Sequence, residues 1–449
     1  MTEHDEATQD RLSFLREALN SGSLRSSKRM INNMHPAEIA DLLESLPLPQ
    51  RLLAWDMVST DHDGEVLLEV GDDVRDTLVR NMDRTELKEA FDHLSADDCA
   101  DLLAALPETV TQEMLLNMDK QRQQQIEAIL SYPEDTAGGL MDLDVITIRA
   151  DVEIDVVLRY LRMLGQMPEN TDKLFVVNRY NHYLGYLLTR EVLTAKPDES
   201  VCDIMHRAEA LSVEMPATEV SQIFKDRNLI SAPVVGTDNI LVGRITIDDV
   251  VDVIVEENNR SVMNMAGLNQ DEDIFGPVGK SARRRAVWLG INLVTAFVAS
   301  WTIGLFEATI AQVVALAVLM PIVASMGGIA GSQTLTLVIR AQALGQLGLD
   351  NLRVLFRKEL LIGLLNGLIW SCVVAVAAAL WFSSSPLGMT IGIALVVNQL
   401  AAAMAGVMIP IALKRLNVDP ALAGSVVLTT VTDVVGFVSF LGIATLILL

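Results

Sequence analysis

A single carboxylate, Asp433, stands near the middle of an otherwise apolar stretch that runs from Asp419 to Leu449. A bilayer-crossing helix needs about 20 apolar residues, and a carboxylate inside one costs about 3 kcal/mol or more unless it meets water or a partner. Counting back from Asp433 by helical turns reaches Thr429 and then Ser425, at i−4 and i−8 on the same face. One acid above two hydroxyls on an apolar helix is the pattern of a cation path, and Thr430 adds a further hydroxyl beside it. An acid bonded to a neighbouring helix is the other reading. Intramembrane acids are functional by default, which favours the path.

Two more acidic groups could do metal chemistry. In DDVVDVIVEENN, Asp248, Asp252 and Glu256 recur at i, i+4 and i+8, with Asp249 and Glu257 beside them. Like charges at that spacing destabilise a helix unless cations neutralise them, so the run is either a solvated face or a metal-sensing surface. Asp97, Asp98 and Asp101 fall within one turn and could share a metal; solvated helix caps are the alternative. No histidine occurs after His206, which argues against a Ser–His hydrolase or a histidine zinc site in the apolar half. No catalytic constellation is present, so the chain is read as a non-enzyme.

Charge divides the 449 residues into two parts. From Ser281 onward nine Lys and Arg stand against five Asp and Glu, so residues 1–280 carry −28 of a total of −24. An acidic soluble half argues for cations and against nucleic acid as its partner. Cys99, Cys202 and Cys372 lack metal-type spacing and fit a reducing cytoplasm. The polar, acidic start MTEHDEATQD is not a signal peptide, and residues 1–34 suggest no more than a helix.

The elements that must position these acids are repetitive. HPAEIADLLESLP at 35–47 returns as SADDCADLLAALP at 95–107, with TELKEAFDHLS at 85–95 between, each a capped helix with a stop. Residues 35–130 therefore read as a stack of short regulatory helices. FVVNRYNHYLGYLLTREVL at 175–193 matches APVVGTDNILVGRITIDDVV at 232–251 with a shift of 58, aligning Gly185 with Gly243. Each copy predicts strand, turn, strand and helix, and the pair resembles tandem CBS domains. Such pairs are regulatory, which makes ATP a candidate ligand; His182 and His206 read as surface residues. GPVGKS at 276–281 is no phosphate loop, because Ile274 stands where the motif needs glycine.

Five apolar spans follow, at about 287–306, 310–339, 359–382, 389–413 and 420–448. Arg283–Arg285, the 340–358 loop and Lys414–Arg415 fall on one side, so the acidic half is expected in the cytoplasm and the C-terminus outside. The second span carries PIVASMGGIAGSQT, where a break at Pro321 or Gly327–Gly328 would offer backbone carbonyls to an ion.

The order of parts and the motifs YPEDTAGGLM (132–141), WLGINL (288–293), PIVASMGGIAGSQTLTLVIR (321–340) and DPALAGSVVLTTVTDVVG (419–436) resemble the MgtE family of magnesium channels. The resemblance covers nearly the whole chain. It implies an α-helical membrane protein of five spans with a cytoplasmic α-helical N-domain (1–131), an α/β tandem CBS pair (132–257), a connecting helix (258–280) and a pore domain (281–449). It further implies a homodimer in a bacterial inner membrane, in contact with lipid, passing hydrated Mg²⁺ past Asp433. The second and fifth spans would line the path through Gly328, Gly331, Gln333, Ser425, Thr429 and Thr430, with Asp419 at an interface. Cytoplasmic Mg²⁺ would bind Asp97, Asp98, Asp101, Asp248, Asp249, Asp252, Glu256 and Glu257 and close the pore. Two places depart from the family: Gly327-Gly328-Ile329 replaces Gly-Gly-Asn, and Gly424-Ser425-Val426 replaces Ser-Gly-Pro. A Mn²⁺ or Co²⁺ channel of the same build and a non-transporting membrane sensor are the rival readings; five spans and an acidic pore residue disfavour a CBS-bearing chloride channel.

Overall fold

A computed structural model describes residues 24–449 apart from 107, 169, 270–271 and 417. The helix expected in residues 1–34 falls mostly outside the described residues. The chain forms two compact units, residues 1–258 with 271–277 and residues 259–270 with 278–449.

The first unit begins with short helices between Leu24 and Leu130. The sequence repeat becomes a packing repeat: Ile39, Ala40, Leu42 and Leu43 of the helix Pro36–Glu44 are buried, as are Cys99, Ala100, Leu102 and Leu103 of Ala96–Ala104. Caps fix where these helices start. His35 and Asp83 form capping boxes with Glu38 and Glu86, and Ser95 accepts from the Asp98 amide.

Two three-stranded sheets follow, β1 (Thr147–Arg149), β2 (Lys173–Val177) and β3 (Tyr183–Leu188), then β4 (Leu211–Ser212), β5 (Ser231–Val235) and β6 (Leu241–Thr246). In each sheet the middle strand is buried along its length, pairs in parallel with the first and antiparallel with the third. Both carry a register shift at the aligned valines, Val176/Val177 and Val234/Val235. Glycine is required opposite them because other backbone comes close. A Cβ on Gly185 would lie 2.3 Å from the His206 carbonyl oxygen, and one on Gly243 2.7 Å from that of Asp142. The sheets join about a pseudo-twofold axis: Asn181 donates to the Leu241 carbonyl at 2.9 Å and Asn239 to the Tyr183 carbonyl at 2.8 Å.

The last CBS helix does not stop where a connecting helix was expected to begin. It runs unbroken as Ile247–Met265, residues 266–269 and 272–277 are not helical, and the next helix starts at Val278. Absence of glycine or proline between Asp248 and Met265 explains the continuity.

Five helices in the second unit are long and apolar enough to cross a membrane: Val278–Gly304, Ala315–Ala343, Leu349–Trp381, Ser385–Arg415 and Pro420–Leu448. The fourth is the most buried and packs on the second, third and fifth; the first packs chiefly on the fifth. Two expectations are corrected. The second span is one continuous helix through Pro321 and Gly327–Gly328, since proline removes a single backbone donor and packed neighbours hold the rest. The connection before it contains a short helix, Glu307–Gln312.

Candidate ion pathway and acidic cluster

The continuous second helix presents a stripe that the broken-helix expectation missed. Ser325, Ile329, Ser332, Gln333 and Thr336 follow helical spacing, and with Ala324, Gly328, Thr429 and Asp433 they line a groove of about 730 Å³ that is open along one side. Asp433 is half-buried there, and among the described residues no cationic side chain pairs with it. The Thr429 hydroxyl donates to the Ser425 carbonyl at 2.9 Å, so its proton is spent on the backbone and its oxygen remains an acceptor. Of the residues expected to line a path, Gly328, Gln333, Thr429 and Asp433 lie together in the wall of this groove.

The others sit elsewhere. Gly331 is buried against the fifth helix, where a Cβ would lie 2.8 Å from Leu428 Cδ1. Ser425 and Thr430 are partly buried outside the groove lining, and Thr430 donates to the Val426 carbonyl at 2.8 Å. Thr334, in the polar run Ser332–Thr334, turns inward and donates to buried Glu359 at 3.1 Å. Ile329, the departure from the family motif, is 57 % exposed and puts an apolar wall on the groove.

Asp419 caps the fifth spanning helix, accepting from the Ala421 amide at 2.8 Å and from Asn264 Nδ2 at 2.7 Å. Asn264 lies near the end of the long helix Ile247–Met265, so the helix that starts with the acids Asp248 and Asp249 ends on this cap.

In the first unit the acids of the two motifs come together. Burial first, then Asp97, Asp98 and Glu134, push the Asp101 carboxyl up to about 7, although the residue keeps an exposed edge. Burial, then Asp248 and Asp97, push Asp249 up to about 8. Asp98 is raised by burial and by Asp97 and Asp248, despite a hydrogen bond from Ser95; Asp252 is raised by burial, Glu69 and Asp248. Asp97 keeps one buried carboxylate oxygen without a hydrogen-bond partner. Glu256 and Glu257 lie further along the same helix. Among the described residues no three acids or other ligands already stand in metal-binding geometry. The donor set suits a hard cation, all carboxylate oxygen and partly desolvated, but would have to draw in around it. Glu69, Glu134 and Asp142 join the field, and nothing in their sequence spacing marks them out.

Between the sheets a cavity of about 210 Å³ is lined by Lys173, Tyr186, Glu209, Arg227 and apolar side chains. Lys173 Nζ donates to the Ser231 carbonyl at 2.6 Å and lies 5.2 Å from the Tyr186 ring centre. His182 and His206 are partly exposed surface residues; His206 pairs with Glu191 at 2.9 Å.

Comparison with known proteins accounts for this order of parts. Residues 320–443 match the family model described as a divalent cation transporter, residues 34–135 the MgtE intracellular N domain, and residues 201–256 the CBS domain. The magnesium transporter MgtE of Thermus thermophilus is 30 % identical over 440 residues, 97 % of this chain and 98 % of that one. MgtE of Bacillus subtilis is 26 % identical over 428 residues, 95 % of each. The crystal structure of the cytosolic domain of the Mg²⁺ channel MgtE in complex with ATP matches with a TM-score of 0.50 and 28 % identity, over 54 % of this chain and 99 % of that one. The chain therefore belongs to the MgtE family of divalent cation transporters.

Proposed function

We propose that this protein is a homodimeric channel that lets hydrated Mg²⁺ into the cytoplasm and closes when cytoplasmic Mg²⁺ binds its acidic soluble half. The observation that carries the reading is the open-sided groove with the unpaired Asp433 in its wall. Two such grooves face to face would enclose a path with two carboxylates. Mg²⁺ gives up water reluctantly, so two outer-sphere charges suit it better than a stripped cage. With the basic loops on the cytoplasmic side of a bacterial inner membrane, the membrane potential would drive entry, at roughly 4.6 kcal/mol for a divalent ion at 100 mV.

Closure follows from one helix. Its start bears Asp248, Asp249 and Asp252, and its end bears Asn264 on the Asp419 cap. Without divalent ions the crowded carboxylates repel; ions bridging them to Asp97, Asp98 and Asp101, with Glu256 and Glu257 adding to the field, favour a compact soluble half and hold that helix in place. Several ions bound to one state shift an equilibrium by several kcal/mol. The cavity between the sheets is the proposed seat of ATP: its volume suits the base and ribose, and Lys173 and Arg227 in its lining offer cations.

The test is Mg²⁺ uptake into proteoliposomes by the native protein beside Asp433→Ala, with Mn²⁺ and Co²⁺ as competitors. Mg²⁺ uptake by the native protein that persists against the competitors and is lost in the variant supports the reading. Preferential Mn²⁺ or Co²⁺ uptake supports the related channel. Equal uptake in both proteins moves the path away from Asp433, and no uptake by either leaves a membrane sensor.

A further inference from the structure

The two helices that line the groove are held by a residue that never touches it. Asn398, in the fourth spanning helix, is completely buried, and its Nδ2 donates to the Val323 carbonyl of the second helix at 2.8 Å. Val323 is buried in the core behind the groove, one turn before Gly327 and beside groove-lining Ala324. The amide fits because two glycines leave room for it. A Cβ on Gly327 would lie 2.2 Å from Asn398 Nδ2, and a Cβ on Gly436 of the fifth helix 2.8 Å from the same atom. Gly436 is three residues beyond Asp433 and Gly327 is adjacent to groove-lining Gly328. The next residue, Gln399, repeats the contact more loosely, donating to the Met326 carbonyl at 3.3 Å.

We propose that Asn398 is a positioning residue for ion passage, setting the distance and rotation between the Asp433 face of the fifth helix and the Ser325–Thr336 face of the second. Apolar packing alone leaves two helices free to slide and roll in lipid. A buried amide whose unmet donor would be costly there fixes one registry. The two contacts differ in kind: a hydrogen bond fixes the second helix along its axis, and steric contact at Gly436 fixes the approach of the fifth. Loss of Asn398 therefore changes the width of the path and with it the discrimination between hydrated ions.

This inference rests on the groove being the ion path, and the experiment separates the two. Native protein, Asp433→Ala, Asn398→Leu, Asn398→Ala, Gly327→Ala and the Gly327→Ala/Asn398→Ala pair are reconstituted as full-length chains, with size exclusion checking assembly. Initial uptake of Mg²⁺ and Mn²⁺ is measured in each. Asn398→Leu fills the same space without a donor, and it is expected to change the Mg²⁺:Mn²⁺ ratio at least threefold. Gly327→Ala alone is expected to lower Mg²⁺ uptake tenfold or more. Removing the Asn398 side chain in that background gives the new methyl its space, so the pair is expected to recover to within about threefold of Asn398→Ala. A general loss of folding would lower both ions together and leave the ratio unchanged. Unchanged ratios in both Asn398 variants, or a pair no better than Gly327→Ala, would overturn the inference. If those results came with native uptake that Asp433→Ala abolishes, the inference would fall alone; equal uptake in native protein and Asp433→Ala would remove the path and the inference together.

Discussion

Among the described residues Arg51 and Asp273 form the least exposed ion pair in the first unit, and breaking it has a calculable consequence. Arg51 is completely buried; its Nε donates to the Leu43 carbonyl at 2.8 Å and its two terminal nitrogens fork onto Asp273 at 2.6 and 2.9 Å. Burial raises the Asp273 carboxyl, but hydrogen bonds from Arg51 and the Phe275 amide outweigh it and hold the group below the usual carboxylate range. Asp273→Ala leaves a buried guanidinium with a single carbonyl partner. Removing one member of a buried pair costs about 3–5 kcal/mol, whereas replacing both with apolar groups is close to neutral. If that cost falls on the 272–277 segment alone, its open population rises by about two to four powers of ten, at about 1.4 kcal/mol per decade. Hydrogen exchange in the full-length protein reads this directly. The reporter is the Gly276 amide, which bonds the Asp273 backbone carbonyl at 3.1 Å and so keeps its own acceptor in the variant. Exchange at Gly276 should accelerate at least a hundredfold in Asp273→Ala and largely recover in Arg51→Met/Asp273→Leu. Acceleration below threefold, or a double variant worse than the single, would refute the reasoning. Because the folded carboxyl is depressed, the protection is complete above the unfolded value of about 4 and disappears as pH falls through the lower folded value.

Two further outcomes follow from the same unit. Asp101 and Asp249 have folded values raised to about 7 and about 8, so they oppose folding increasingly as pH rises from about 4 through those values. Without Mg²⁺ the soluble half should therefore resist protease better at pH 6 than at pH 8.5, and added Mg²⁺ should release protons at pH 7, detectable in weak buffer; equal resistance at both pH values would contradict the desolvation of these acids. Gly185→Ala drives a methyl within 2.3 Å of the His206 carbonyl oxygen, and overpacking of that severity costs on the order of 2–3 kcal/mol. Its thermal midpoint should drop by several degrees, and an unchanged midpoint would mean that the β3 edge yields without cost.

Legibility in the sequence depended on whether a signal was periodic. The 58-residue shift located the second and third strands of both CBS sheets, and the aligned valines prove to carry matched register shifts opposite Gly185 and Gly243; the short first strands, at 147–149 and 211–212, lie outside the repeat. The 60-residue shift likewise marked two N-domain helices, whose apolar faces are the buried ones. The helix breaks expected at Pro321 and Gly327–Gly328 are absent, since these residues weaken a helix in water but are tolerated where neighbouring helices supply the packing. Gly331 and Thr334 share the polar, small-residue composition of the lining yet face inward, because composition does not give rotation about a helix axis; the spacing of Ser325, Ile329, Ser332 and Thr336 does. Asn398 and the Arg51–Asp273 pair carry no local signal. Each depends on a partner 75 and 222 positions away, respectively.

The chemistry of the groove itself bears on which ion it could favour. Waters around a divalent cation point their hydrogens outward, so a wall that receives a hydrated ion must present acceptors. Thr429 does, because its hydroxyl hydrogen is committed to Ser425; Asp433 does, because it is a carboxylate without a cationic partner; Gln333 can turn its carbonyl to the same side. Ile329 is the exception, an apolar face among acceptors, offering no bond to a hydration shell and none to replace a lost water. An asparagine there would offer its amide oxygen both to a hydration shell and to an ion that had shed a water; isoleucine offers it to neither. On the proposed reading of the groove as the ion path, Ile329 therefore leaves contact with the hydration shell to Asp433, Thr429 and Gln333.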